Sequence, residues 1–145
     1  MDILNIVIIG GKELGCYLAE SLSSRGHKVT IIEAIPHILE RITDETIIKK
    51  MGSLSDPRLL RDMGISQADL LLILTDSDKL NLILSLQARL EFSKLKTVVL
   101  LNSRKNEWLF AKEAGVDQLI RKDQTVVEEV LRKVKVRPKK KPVHV

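Results

Sequence analysis

The most constraining stretch of the chain is its beginning. Residues 4 to 9 (LNIVII) form a short apolar run rich in β-branched side chains, closed by Gly10-Gly11, after which Leu14, Leu18 and Leu22 recur every four residues. An apolar run of this length that stops at a glycine pair and gives way to helical spacing predicts strand, tight turn, helix. The helix is expected to stop at Arg25-Gly26, and Val29 to Ile32 form a second strand ending in Glu33. Both strands are apolar throughout and do not alternate, the pattern of strands buried on both faces of a parallel sheet.

The same alternation runs on. Helix is expected from about Pro36 to Ile42, a weak strand over Thr46 to Met51, and a short helix opened by Ser55-Asp56-Pro57 as cap and first-turn proline. Leu70 to Leu74 reads as the central strand, and Asp78 as the cap of a long helix reaching Phe92. Thr97 to Leu101 is a fifth strand, Asn106 to Ala114 a helix stopped by Gly115, Gln118 to Ile120 a sixth strand, and Gln124 to Val134 the last helix. Six strands separated by helices give an α/β fold: a doubly wound, parallel, six-stranded Rossmann-like sheet with helices on both faces, in the order 3-2-1-4-5-6.

Charge separates the body from its end. The 145 residues carry 24 Lys or Arg and 19 Asp or Glu, a net +5, but residues 132 to 145 hold seven of the bases and no acid. Residues 1 to 131 are therefore about −2, and are expected to form one domain followed by a flexible +7 tail. The aromatics are only Tyr17, Phe92, Trp108 and Phe110, too few to make stacking platforms for single-stranded nucleic acid. A single cysteine, Cys16, fits a reducing, cytoplasmic setting. No run approaches the roughly 20 apolar residues of a membrane span, and MDILNIVIIGG, with an acid at position 2, reads as neither secretory signal nor anchor.

In a doubly wound sheet ligands are expected at the carboxyl ends of the strands where the winding reverses, here strands one and four. At the first of these stands Gly10-Gly11-Lys12-Glu13-Leu14-Gly15, which matches G-x-G-x-x-G at Gly10 and Gly15 but puts Lys12 at the middle glycine. The middle glycine normally lets backbone approach a pyrophosphate. Two readings of Lys12 stand side by side. Its Cβ crowds a phosphate or redirects the loop, or Gly11 takes the special backbone geometry one residue early and the ammonium adds a charge beside a helix amino terminus that already favours anions. Glu33, 23 residues after Gly10, is placed to accept hydrogen bonds from a ribose diol, and its charge disfavours a 2′-phosphate. NAD or an adenosine nucleotide is thereby preferred over NADP.

These residues, with Gly52-Ser53-Leu54-Ser55-Asp56-Pro57, Ala68-Asp69, the segment Thr75-Asp76-Ser77-Asp78-Lys79-Leu80-Asn81 and Ala114-Gly115-Val116-Asp117, resemble the TrkA amino-terminal (KTN/RCK) family of nucleotide-binding potassium-transport regulators over residues 4 to 131. The resemblance implies that Gly10, Lys12, Glu13 and Leu14 line the pyrophosphate, Glu33 and Ala34 the adenosine ribose, Ser53 and Leu54 the adenine, and Thr75 with Asp76 the inner ribose or phosphate. Departures fall in the same site. The family usually has glycine at Lys12, aspartate at Ser53, and arginine where Leu101 or Asn102 stands.

No residue set argues for catalysis. His27, His37 and His144 form no cluster with ligand spacing, Cys16 reads as a small core residue on the first helix, and Asp76 as a loop or ribose contact. A bound nucleotide is then expected to act as a signal, NAD or NADH first and ATP, ADP or AMP second. The helix from Asp78 leaves little polar face, and Val126, Val127, Val130, Leu131 and Val134 make a stripe on the last one. A homodimer is expected from that apolar excess. The implied partner is a membrane potassium channel or transporter, and the small additional domain that often follows in the family is not expected in this sequence. The tail remains open between a weak contact with anionic lipid, a nucleic-acid contact and a solubilising end, with no specific nucleic acid expected. A nucleotide-free interaction module is the alternative reading, and an oxidoreductase fragment a more distant one.

Overall fold

The computed structural model describes residues 2–111 and 114–135. Six strands, β1 (Asn5–Ile9), β2 (Lys28–Glu33), β3 (Ile48–Met51), β4 (Leu70–Ile73), β5 (Lys96–Leu101) and β6 (Gln118–Arg121), alternate with helices α1 (Glu13–Ser24), α2 (Pro36–Leu39), α3 (Leu59–Asp62), α4 (Asp78–Glu91) and α5 (Lys122–Lys133). The sheet has the order β3-β2-β1-β4-β5-β6, and every pairing is parallel. This is the doubly wound order expected from the alternation.

The apolar strands are explained by burial on both faces. Ile6 and Ile8 of β1 join Cys16, Ala19, Ile31 and Ile38 in a core under α1 and α2. Val7 and Ile9, one residue out of phase, join Ile32, Leu60, Leu84 and Ala88 under α3 and α4. Successive side chains point to opposite faces, so two helical layers demand the unbroken run IVII.

Several boundaries differ from expectation, each for a local reason. Ser77, not Asp78, caps α4: its Oγ accepts the Leu80 amide at 3.1 Å. Asp56 accepts the Arg58 amide at 2.9 Å, which makes a turn and delays α3 to Leu59. Thr46 is held in a turn by Asp44, which shortens β3. The stretch expected as a helix from Asn106 is a 3-10 segment over Arg104–Phe110, tethered by the Asn106 side chain to Asp78 at 2.8 Å. α2 ends at Leu39, and α5 starts two residues early and runs through Arg132 and Lys133. Residues 136–145, most of the basic tail, lie outside the described residues. No helix among the described residues is long and apolar enough to cross a membrane.

Gly15 makes the join between β1 and α1 possible. A Cβ there would stand 2.2 Å from the Gly10 carbonyl oxygen, a backbone atom that cannot swing away. Gly15→Ala is therefore expected to destabilise the domain by about 1–3 kcal/mol, lowering Tm by roughly 5–10 °C in a thermal melt.

Candidate functional site

The chain reverses its winding between β1 and β4, and the loops leaving these strands enclose a crevice of about 310 Å³. Larger hollows exist, one of about 660 Å³ at the amino ends of the strands beside Leu70 and Lys96. Ligands of doubly wound sheets sit at the carboxyl ends, so the smaller crevice is the candidate.

Three consecutive residues shape its floor. Gly10, Gly11 and Lys12 all have positive φ, at 73°, 95° and 52°. Both readings of the turn meet here: Gly11 does take a special geometry, and Lys12 takes one as well. With ψ at −126°, Lys12 occupies backbone space that suits glycine, a strain of about 1–3 kcal/mol. Its amide donates to Glu33 Oε2 at 3.2 Å, while Glu33 Oε1 accepts the Ala34 amide at 2.9 Å. Two backbone donors thus satisfy a carboxylate that is only 2% exposed. The Lys12 side chain turns the other way and pairs with Asp76 at 3.2 Å.

Eight of the twelve expected positions line the crevice: Gly10, Gly11, Lys12, Leu14, Glu33, Leu54, Thr75 and Asp76. Four do not. Gly15 is buried in the packing of α1, Glu13 pairs with Arg41 outside, Ala34 meets Glu33 only through its amide, and Ser53 lies beside Ser55 at 3.2 Å between hydroxyls. Leu74, Leu100, Asn102 and Lys122 complete the lining. Asn102 is legible as the residue after β5, in the place where the family resemblance leads one to expect arginine. Lys122 carries no local signal, because it reaches the crevice through the path of β6.

Beneath the lining lies a buried polar junction. Asn81 donates to the carbonyls of Thr75 at 3.0 Å and Leu100 at 2.9 Å, and its own oxygen accepts the Thr75 hydroxyl. Asp78 accepts the amides of Asn102 (2.7 Å) and Ser103 (3.1 Å) and the side-chain amides of Asn102 (3.1 Å) and Asn106 (2.8 Å). Burial by itself pushes the Asp78 carboxyl up, but these four hydrogen bonds outweigh it and hold the group below its usual range.

Among the described residues, the cysteine and His27 have ordinary structural surroundings. Cys16 is buried and its thiol is pushed up by burial and then by Glu20 and Glu33, which disfavours the nucleophilic thiolate. His27 Nδ1 accepts the Leu4 amide at 3.1 Å. Among the described residues, no group of three His, Cys, Asp or Glu could hold a metal ion. His144 lies outside the described residues.

A doubly wound sheet with a glycine turn, a buried acid closing β2 and a crevice at the reversal defines a Rossmann-like domain. Within that class, residues 6–122 match the model of the TrkA-N domain, and the chain belongs to that family. It is 30% identical over 114 residues to the Trk system potassium uptake protein TrkA of Mycobacterium tuberculosis, covering 79% of this chain and 52% of that protein. It is 32% identical over 131 residues to a TrkA homolog of Archaeoglobus fulgidus, covering 89% of this chain and 30% of that protein. The chain thus spans about half or less of the length of these two relatives. Among solved structures, the TrkA-N domain of the inner membrane protein ybaL from Escherichia coli has a TM-score of 0.79 at 13% identity, covering 92% of this chain and 99% of that one. The GsuK RCK domain has a TM-score of 0.75 at 24% identity, covering 91% and 28%. GsuK has also been solved bound to NAD and to ADP. At these identities the structural likeness is one of fold.

The Asp78 junction generates a pH prediction. A carboxylate whose folded pKa lies below its unfolded value of about 3.9 contributes stability that is present above that value and lost as pH falls through the folded pKa. Melting temperatures from pH 7 to pH 2.5 are expected to fall more steeply below about pH 4 in the wild type than in Asp78→Asn, which is less stable at pH 7.

Proposed function

We propose that this chain is a regulatory nucleotide-binding domain of a potassium channel or transporter, taking NAD(H) or an adenine nucleotide in the crevice between β1 and β4 and catalysing no reaction. The observation that carries the reading is the pairing, across one crevice, of buried Glu33 with the positive-φ loop Gly10–Lys12. A ribose diol replaces the backbone donors on Glu33, phosphates meet the loop and the amino end of α1, and Leu54 packs on the base. The ligand works as a signal by binding one arrangement of the assembly better than another. The relatives' names support the potassium setting, and the domain's proposed place is the cytoplasmic face of a membrane partner.

Thermal shift with NAD, NADH, ATP, ADP and AMP tests the reading. At about 100 times Kd a ligand adds roughly 2.7 kcal/mol, several degrees in Tm, and Glu33→Ala is expected to abolish the shift. No shift with any of them leaves the nucleotide-free interaction module as the better account.

A homodimer belongs to the same proposal. α5 buries no residue, and Val126, Val127, Val130, Leu131 and Val134 are 45–58% exposed; Ile83, Leu86 and Leu90 face outward on α4. An aliphatic stripe of this kind calls for a covering surface. Light scattering at micromolar concentration is expected to give twice the chain mass for the wild type and the single-chain mass for Val127→Glu/Val130→Glu.

A further inference from the structure

The ion pair across the crevice mouth is the feature that reaches furthest. Lys12 Nζ meets Asp76 Oδ2 at 3.2 Å, joining the loop after β1 to the loop after β4, which are the two walls of the crevice. Both side chains are largely exposed, at 57% and 76%, and ion pairs in such settings are weak. A phosphate arriving between the loops therefore displaces Asp76 without difficulty. The loop keeps a lysine in a backbone conformation that suits glycine, and residues held under such strain concentrate at ligand clamps. Lys122 reaches the same crevice from the start of α5, and no ion pair to it is present among the described residues.

Two cations from different elements lining one small crevice suit a ligand with concentrated charge. A terminal phosphate carries about −1.5 to −2 at pH 7, whereas each phosphate of a dinucleotide bridge carries a single charge. The volume of about 310 Å³ lies at the lower end of ligand cavities, roughly 300–1,000 Å³, which suits a mononucleotide. Resting on the nucleotide reading above, we infer that Lys12–Asp76 is a displaceable latch and that Lys12 and Lys122 select a nucleoside di- or triphosphate over a dinucleotide. On binding, Lys12 leaves Asp76 for a phosphate oxygen, Lys122 meets the terminal phosphate, and the link between the two loops is exchanged for one through the ligand.

Calorimetric titration of the full chain with ADP, ATP and NAD tests this, on the wild type and on Lys12→Gly, Lys122→Ala and Asp76→Asn. Lys12→Gly restores the residue that the backbone geometry suits, so its Tm is expected at or above that of the wild type. The wild type is expected to bind ADP and ATP at least about tenfold more tightly than NAD. Lys12→Gly and Lys122→Ala each lower ATP affinity by roughly tenfold and NAD affinity by no more than about twofold. Asp76→Asn, which removes the competing carboxylate, raises ADP affinity by about two- to fivefold. Equal losses for ATP and NAD, preference for NAD in the wild type, or weaker ADP binding by Asp76→Asn would overturn the inference while leaving the nucleotide reading intact. Absence of binding by all three nucleotides would overturn both.

Discussion

Asn81 holds together the end of the sheet on which the crevice depends. It is fully buried, and its amide donates to the carbonyl of Thr75, just past β4, and to that of Leu100, near the end of β5. An orphaned carbonyl in this position costs about 1–3 kcal/mol, so one side chain satisfies two groups that the parallel ladder leaves behind. Asn102 adds a second donor to Thr75 at 2.9 Å and hands its remaining N–H to Asp78. The shape of the far wall of the crevice follows from this hydrogen-bond satisfaction.

The near wall obeys a different constraint. Gly15 lets α1 approach β1 so closely that the intervening loop must turn through three positive-φ residues. That turn aims the Lys12 amide at Glu33 and frees its ammonium to cross to Asp76. The crevice thus has a carboxylate satisfied by backbone on one side and an exposed ion pair at its mouth. In the proposed function, hydroxyl donors meet the first of these environments and anions the second.

The legible part of this architecture was local. The run LNIVII, the pair Gly10-Gly11 and the leucine spacing after it placed β1, its turn and α1 within a residue or two, because strand burial and helix amphipathicity each write a short period into the chain. Boundaries slipped where a side chain competed for the backbone. Ser77 outcompeted Asp78 as cap because Asp78 was drawn inward by four donors from the β5 end. Asn106 was similarly drawn to Asp78, and the segment around it tightened to a 3-10 turn. The candidate site is legible where it lies on a glycine turn and a strand end, as at Gly10 and Glu33, while Thr75 enters through the family resemblance and Lys122 through neither.

By itself the sequence determined the alternation of elements, the parallel and doubly buried character of the sheet, and the residue types that stand at its carboxyl edge. Those properties depend on periods of two and about four residues and on glycine stops, all readable within a short window. Only the tertiary structure decided that Lys12 crosses to Asp76, 64 residues away, that Lys122 enters the same crevice, that Glu13 leaves it for Arg41, and that α5 stays uncovered. Each is a contact, or a missing contact, between distant segments, set by strand order and by which backbone groups remain to be satisfied once the sheet has formed.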